Sequence, residues 1–199
     1  PARSEMCIRD RFYRPLLNSI AGMSVGEASL SKDAAVSQLK ALGYTHPTRA
    51  YEHLSALVKG NSRKAKLQAI LLPTLLVWLG ETADPDAGLL NYRKLSDAAQ
   101  DRSWFLRMLR DEGVVGERLM HILGTSPYAA NLIISAPDVV KQLGDGATQP
   151  KLLDPEPDRV YKALIAASKR HADPDKAVSV ARSLRRAELA RIASADLLG

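Results

Sequence analysis

Glu188 and the arginines around it are the polar residues with the most informative spacing. They lie in the segment SLRRAELARIASADLLG, residues 183–199, whose Ala, Leu, Arg and Glu content favours a helix. On such a helix, four residues share one row: Leu184, Glu188, Ile192 and Ala195. A carboxylate among apolar neighbours needs a cation, and Arg185 and Arg191, three residues away on either side, are within reach. By itself, this pattern predicts an ion-paired helix face.

Metal-ligating residue types do not combine into a recognisable site in the sequence. The histidines are His46, His53, His121 and His171, and no HExxH motif is present. A single cysteine, Cys7, excludes both an intramolecular disulfide and a zinc cage built from cysteines. His121 lies between Met120 and Ile122 and is predicted to be a partly buried packing residue. We therefore predict no catalytic, cofactor-binding or metal-binding residue in this chain.

One segment faintly resembles the metal-binding strand of nucleotidyltransferases, in which two aspartates stand one residue apart. Both side chains then point the same way and hold Mg²⁺ against a triphosphate. Here the segment Gly88–Tyr92 is followed by Ser96 and Asp97, but position 99 is Ala. The segment also follows Asp84-Pro85, which is typical of a helix start. We interpret it as non-catalytic.

The composition favours an all-α protein. The chain of 199 residues is 46% hydrophobic and only 5% aromatic, with abundant Leu and Ala. Its basic residues give a net charge of +6 but are spread along the sequence, so we predict no nucleic-acid partner. The longest apolar run, Ala69–Leu79, is interrupted by Pro73 and Thr74, and we predict neither a membrane span nor a signal peptide. A cytoplasmic location is expected.

Helix starts and stops recur along the chain. An N-capping Asp or Ser followed by Pro occurs four times, at Asp84-Pro85, Ser126-Pro127, Asp154-Pro155 and Asp173-Pro174. Asn61 or Ser62 is a further predicted start. Glycines are predicted to end helices at Gly22, Gly43, Gly60, Gly113 and Gly124. These signals predict a multi-helix bundle of roughly ten helices joined by short turns, with residues 144–153 as the one long irregular loop.

The first eleven residues, PARSEMCIRDR, differ from the rest of the chain. They lack apolar periodicity and resemble translated sequencing-adapter sequence. We interpret residues 1–11 as a non-native leader and exclude them from the fold. On this interpretation Cys7 is not a native residue.

Three stretches together resemble one family. The first runs from Ser62-Arg63-Lys64-Ala65 through Leu72-Pro73 and Trp78 to Asp84-Pro85-Asp86-Ala87-Gly88-Leu89. The second is Leu123-Gly124-Thr125-Ser126-Pro127-Tyr128, followed by Leu132 and Ala136-Pro137. The third is LRRAELARIA at residues 184–193, followed by Ala195-Asp196-Leu197. In this order and spacing they resemble the middle of a bifunctional glutamine synthetase adenylyltransferase of the actinobacterial type, over about residues 12–199.

The resemblance implies a role within a larger enzyme. That family has two halves, each with a nucleotidyltransferase domain and helical domains. One half transfers AMP from ATP to glutamine synthetase, and the other removes the AMP by phosphorolysis, under the control of glutamine and a PII-type signalling protein. Residues 12–82 would be the helical end of the first half and the linker, and residues 83–199 the helical region preceding the second nucleotidyltransferase domain. ATP and Mg²⁺ would act in the full-length enzyme, with no cofactor in this segment.

The same resemblance implies a role for the polar residues near the C-terminus. A polar interdomain seam, which docks this helix to the second catalytic domain, would be formed by Arg185, Arg186, Glu188 and Arg191. The segment would then be the non-catalytic linker and regulatory part of the enzyme. The alternative is a stand-alone helical adaptor whose basic faces bind an acidic protein or RNA. The adaptor hypothesis predicts a partner that salt releases.

Overall fold

The computed structural model of the protein describes residues 32–145, 152, 158–170 and 173–199. Its α-helices are α1 (Lys32–Ala41), α2 (Pro47–Leu57), α3 (Arg63–Gly80), α4 (Pro85–Ala98), α5 (Phe105–Asp111), α6 (Gly113–Thr125), α7 (Pro127–Ser135), α8 (Arg159–Arg170) and α9 (Pro174–Leu198). A 3₁₀ helix covers Pro137–Gln142. This part of the chain contains no strand, which confirms the all-α prediction. The predicted leader, residues 1–11, and the predicted helix start at Asp154 lie outside the described residues.

The predicted helix starts form as expected where the structure describes them. The side chains of Ser62, Asp84 and Ser126 each accept a hydrogen bond from the backbone N–H three residues later. Asp173 caps α9 by accepting from the N–H of Asp175 at 3.0 Å. These bonds satisfy N–H groups that have no partner inside their helix, and so fix where each helix begins.

The core of the bundle is centred on α3 and α6. Helix α6 packs against α3, α4, α5, α7, α9 and the 3₁₀ helix. The buried leucines of these two helices are Leu71, Leu72, Leu75, Leu76, Leu79, Leu119 and Leu123. The predicted division after residue 82 falls between α3 and α4, whose apolar side chains share this core. That division stays a prediction about the full enzyme.

Of the five glycines predicted to end helices, Gly22 lies outside the described residues, and two of the other four do not end a helix. Gly43 and Gly60 follow α1 and α2 with φ values of 94° and 89°, as a helix-ending glycine requires. Gly113 instead begins α6, and Gly124 lies inside α6, which runs on to Thr125. A Cβ at Gly124 would come within 2.7 Å of the Thr82 Cβ. Gly124 is therefore needed for close packing.

Buried polar groups in the bundle bind one another. The Tyr92 hydroxyl donates to Gln68 Oε1 at 2.6 Å, and Gln68 Nε2 donates to the Ser96 hydroxyl at 2.8 Å. Asn91 donates to the carbonyl of Leu123 at 3.0 Å, which ties α4 to α6. Such fully paired networks fix the register of neighbouring helices, because shifting a helix would leave a buried polar group without a partner.

The hairpin of α8 and α9 lies at one side of the bundle. Helix α8 packs mainly along α9, and α9 in turn contacts α6, α7 and the 3₁₀ helix. No helix in the described part of the chain is both long enough and apolar enough to cross a membrane. The hairpin is the element that carries the predicted site residues.

Candidate functional site

Glu188 and Arg191 form the centre of the polar cluster on α9. Arg191 Nε donates to both carboxylate oxygens of Glu188 at 3.1 Å, and Arg191 Nη2 donates to Oε1 at 2.5 Å. This two-pronged geometry is the strongest arrangement available to an arginine and a carboxylate. It also holds both side chains in a single conformation. The helix spacing of three residues, read from the sequence, therefore does bring this pair together.

Two further groups complete the cluster from outside α9. Arg159 of α8 donates through Nη2 to Glu188 Oε2 at 3.2 Å. Arg191 Nη1 donates to the backbone carbonyl of Leu152. The Glu188 and Arg191 side chains are only 20% and 13% exposed, so solvent screens their interaction weakly. The cluster thus links α8, α9 and residue 152.

The predicted seam residues separate into two sets. Of the two cations predicted for Glu188, Arg191 binds it, whereas Arg185 is exposed, as is Arg186. Arg159 was missed, because it lies 29 residues before Glu188 and no local pattern connects them. The docking role of Arg185, Arg186, Glu188 and Arg191 stays a prediction.

The outward face of α9 combines exposed arginines with exposed apolar side chains. Val178 is 48% exposed and Ile192 is 51% exposed. Ile192 was predicted to lie in an apolar row of the helix. This part of the prediction is wrong, because half of the Ile192 surface faces solvent. The exposed arginines on the same helix are Arg182, Arg185 and Arg186. A face of this composition is typical of interfaces, where arginine and large apolar side chains are enriched.

The described residues hold no group of three or more His, Cys, Asp and Glu side chains placed to bind a metal ion. The segment Gly88–Tyr92, with its faint likeness to a metal-binding strand, lies within α4 and is helical. His121 is exposed, so its predicted partial burial is wrong. Its neighbours Met120 and Ile122 are buried because they point towards α6's packing partners, and His121 points away from them.

One short pattern of a catalytic type was overlooked in the prediction from sequence. Gly22-Met23-Ser24-Val25-Gly26 matches the GxSxG pattern of a serine nucleophile elbow. The pattern identifies a nucleophile only where a strand leads into a helix, and residues 22–26 lie outside the described part of the chain. A five-residue match without that context carries no assignment.

Residues 116–199 match a model of the glutamate-ammonia ligase adenylyltransferase family. A bifunctional glutamine synthetase adenylyltransferase/adenylyl-removing enzyme of Corynebacterium diphtheriae is 72% identical over 190 residues, or 96% of this chain. The chain is therefore similar, over nearly its whole length, to a segment of these adenylyltransferases. Two more adenylyltransferases of the same name, from Nocardia farcinica and Mycolicibacterium smegmatis, are 55% and 53% identical over 94% of the chain.

The chain spans only about a fifth of the length of these adenylyltransferases, 18% for the Corynebacterium diphtheriae relative and 19% for the other two. No solved structure matches it. Within the chain, the region matched by the adenylyltransferase family model includes α7, α8 and α9, and therefore all members of the Glu188 cluster, which are Leu152, Arg159, Glu188 and Arg191. The cluster and the exposed face of α9 thus lie within the segment that the family model matches.

Proposed function

We propose that this chain is the helical region of an enzyme that adenylylates and deadenylylates glutamine synthetase and so regulates nitrogen assimilation. The observation that carries the proposal is the 72% identity, over 96% of the chain, to a relative bearing the name of that bifunctional enzyme. Such identity supports the same fold and a corresponding place in a longer parent protein. Glutamine synthetase is then the protein substrate.

In this proposal the segment is the non-catalytic linker between two nucleotidyltransferase domains. Residues 12–82 end the first half, and residues 83–199 precede the second catalytic domain. ATP and Mg²⁺ act in those domains, and a PII-type signalling protein sets the balance of the two reactions. The bundle supports a spacer role because α3 and α6 pack into one core, and a packed core holds its surfaces in fixed relative positions.

The contacts of the predicted seam residues support two different roles for them. Glu188 and Arg191 bind each other and hold α9 to α8 and residue 152. Arg185 and Arg186 are exposed and free to meet another domain. We assign docking to Arg185 and Arg186 together with the half-exposed Ile192, and internal support of that surface to Glu188 and Arg191. Both sets are needed for a seam, but removing them has different consequences.

The experiment uses the full-length Corynebacterium diphtheriae enzyme with this chain in place of its own matching segment. Purified glutamine synthetase is the substrate, and both AMP incorporation from ATP and AMP release with phosphate are measured. We expect Arg185→Gln with Arg186→Gln to change the two rates while leaving thermal unfolding of the chain unmoved. Lys169→Gln with Arg170→Gln, an adjacent exposed pair at the end of α8, is the matched control.

The outcomes separate the parts of the proposal. A chimera without either reaction, although folded, contradicts the proposed function. Normal reactions that neither double variant alters would leave the function standing and overturn the seam. A partner that binds residues 1–199 alone at low salt and leaves at high salt would favour the adaptor hypothesis instead.

A further inference from the structure

A polar cleft opens where the end of α2, the start of α3 and the side of α4 meet. Its volume is about 190 Å³, and its charged lining residues are Lys59, Lys64, Arg93 and Asp97. Three cations therefore face one carboxylate. They come from three different parts of the chain, the α2–α3 connection, α3 and α4, so the folded structure creates this excess of positive charge.

The walls of the cleft are fixed by bonds to the buried core. Lys64 Nζ donates to the carbonyl of Ser96 at 3.2 Å, and the Ser96 hydroxyl accepts from Gln68 at 2.8 Å. Ser96 and Gln68 are 1% and 0% exposed. A lysine held this way loses little additional conformational entropy when it binds a ligand, and such preorganisation favours affinity.

The pKa of His53 responds to the charge of Arg93, which lines the cleft. Arg93 Nη1 lies 3.1 Å from His53 Nδ1, and because arginine only donates, this ring nitrogen accepts. Burial lowers the pKa of His53, and the charges of Arg93 and Arg49 lower it further, against the opposing effects of Glu52 and Asp86. The surroundings of Arg93 thus favour a neutral ring and attract negative charge.

The start of α3 adds further positive charge beside the cleft. Its first turn contains Arg63, Lys64 and Lys66 and no acidic residue, although the positive end of a helix dipole disfavours cations there. Ser62 lines the cleft and accepts from the N–H of Ala65 at 3.1 Å. An anion in the cleft would relieve this unfavourable arrangement, since helix N-termini and lysines both stabilise oxyanions.

We propose that this cleft binds a small, multiply charged oxyanion of the phosphate class. Lys59, Lys64 and Arg93 contact the anion, and Asp97 limits its affinity by repulsion. The site lies on α2–α4, apart from the Glu188 cluster, and the inference does not depend on which enzyme the chain belongs to. Free phosphate and the phosphate group of a nucleoside monophosphate share this chemistry.

The test measures binding of inorganic phosphate to the 199-residue chain by calorimetry, with sodium chloride added to keep ionic strength constant. Lys59 and Asp97 are both exposed, so their substitution leaves the core intact. Lys59→Gln should weaken phosphate binding about threefold or more, and Asp97→Asn should tighten it about twofold. Lys94→Gln and Asp101→Asn, exposed residues that do not line the cleft, should leave the affinity unchanged.

A second readout is the pKa of His53, followed by NMR in the presence and absence of phosphate. Phosphate bound beside Arg93 should raise this pKa, because negative charge stabilises the protonated ring. Tighter binding of AMP than of phosphate would identify a nucleotide as the source of the anion. The proposal is overturned if phosphate does not saturate, if all four variants change affinity by similar factors, or if the pKa of His53 stays constant.

Discussion

Helices α3 and α9 are both long, but they are stabilised by different means. Helix α3 has 18 residues, of which ten are buried, most of them large and apolar. Helix α9 has 25 residues, and only Ala190 and Ser194 are buried. Burial of apolar surface is the main favourable term in folding, so α3 contributes far more to the core than α9 does.

The hairpin owes its structure to local preferences and to polar contacts. Helix α9 is rich in Ala, Arg and Leu, and Asp173 caps its first turn. Its two buried residues are small, which allows close approach to the bundle but buries little area. In α8 only Ala167 is buried, and Tyr161 is 65% exposed. The α1–α7 bundle therefore contributes most of the stability, and the α8–α9 hairpin contributes exposed surface.

The largest expected difference between the two regions is the cost of truncating a side chain. Leu76 is fully buried on α3, and Leu76→Ala should lower the free energy of unfolding by about 3 kcal/mol through lost burial and a residual cavity. Ile192 is 51% exposed, and Ile192→Ala should cost less than about 0.5 kcal/mol. Urea unfolding followed by circular dichroism measures both. Equal losses of unfolding free energy in the two variants would show that α3 and α9 contribute alike to stability.

The next effect concerns the close crossing of α4 and α6. A Cβ added at Gly88 would lie 3.0 Å from the Gly124 Cα, and one at Gly124 would collide with the short, inflexible side chain of Thr82. Gly124→Ala should therefore destabilise the chain by about 1–3 kcal/mol. Gly113→Ala is the control, since no heavy atom lies within 4 Å of its added Cβ.

Gly113→Ala should be neutral or should stabilise the chain by up to about 1 kcal/mol, by restricting the unfolded state. Thermal unfolding of the two variants is the measurement. If both alanine variants change the stability by the same amount, the crossing of α4 and α6 is looser than the structure shows. The bundle would then differ less from the hairpin in how tightly it is packed.

A smaller and local effect is expected in the hairpin. Glu188→Gln removes the charge that binds Arg191 and Arg159, and should lower the local opening free energy by about 1–2 kcal/mol. Hydrogen exchange should become faster in α8 and α9 and stay unchanged in α3, since weakly packed units open independently of the core. Glu117→Gln, on an exposed position of α6, is the matched control. Faster exchange throughout the chain would show that the hairpin and the bundle open as one unit.

The sequence was sufficient to predict what local chemistry decides. Capping by Ser62, Asp84, Ser126 and Asp173 and the all-α class follow from residue types at fixed offsets. The pairing of Glu188 with Arg191 follows from helix geometry. The role of Gly124 could not be predicted, because a helix-ending glycine and one that allows two helices to touch look the same in sequence.

Contacts between distant parts of the chain were beyond the sequence for the same reason. Nothing local distinguishes Arg159, which binds Glu188, from the nearer Arg185, which is exposed. Lys59, Lys64 and Arg93 look like scattered surface charges until α2, α3 and α4 assemble into a cleft. Helix periodicity also placed Ile192 on an apolar row, although no neighbouring helix covers that part of α9 fully.

The smallest expected effect lies at the junction of the two regions, the 3₁₀ helix that packs on both α7 and α9. Burial alone would raise the pKa of Asp138, but its hydrogen bond to Lys141 at 2.8 Å and its ion pair with Arg102 hold that pKa below its usual range. A depressed folded-state pKa adds stability above the ordinary pKa of about 4, and this is lost as the pH falls through the folded value. Because the Asp138 side chain is 54% exposed, the contribution should stay under about 1 kcal/mol.

Asp138→Asn should therefore lower stability slightly at pH 7 and make the chain less sensitive to acid below about pH 4. Urea midpoints at pH 7 and at pH 3 measure this difference, with Asp196→Asn on the exposed side of α9 as control. If the variant and the parent chain lose stability in parallel between the two pH values, Asp138 does not anchor the junction. The hairpin would then be held to the bundle by other contacts, among them the packing of Ala190, Leu197 and Leu198 against the core, which makes truncation of these side chains the more severe test of its attachment.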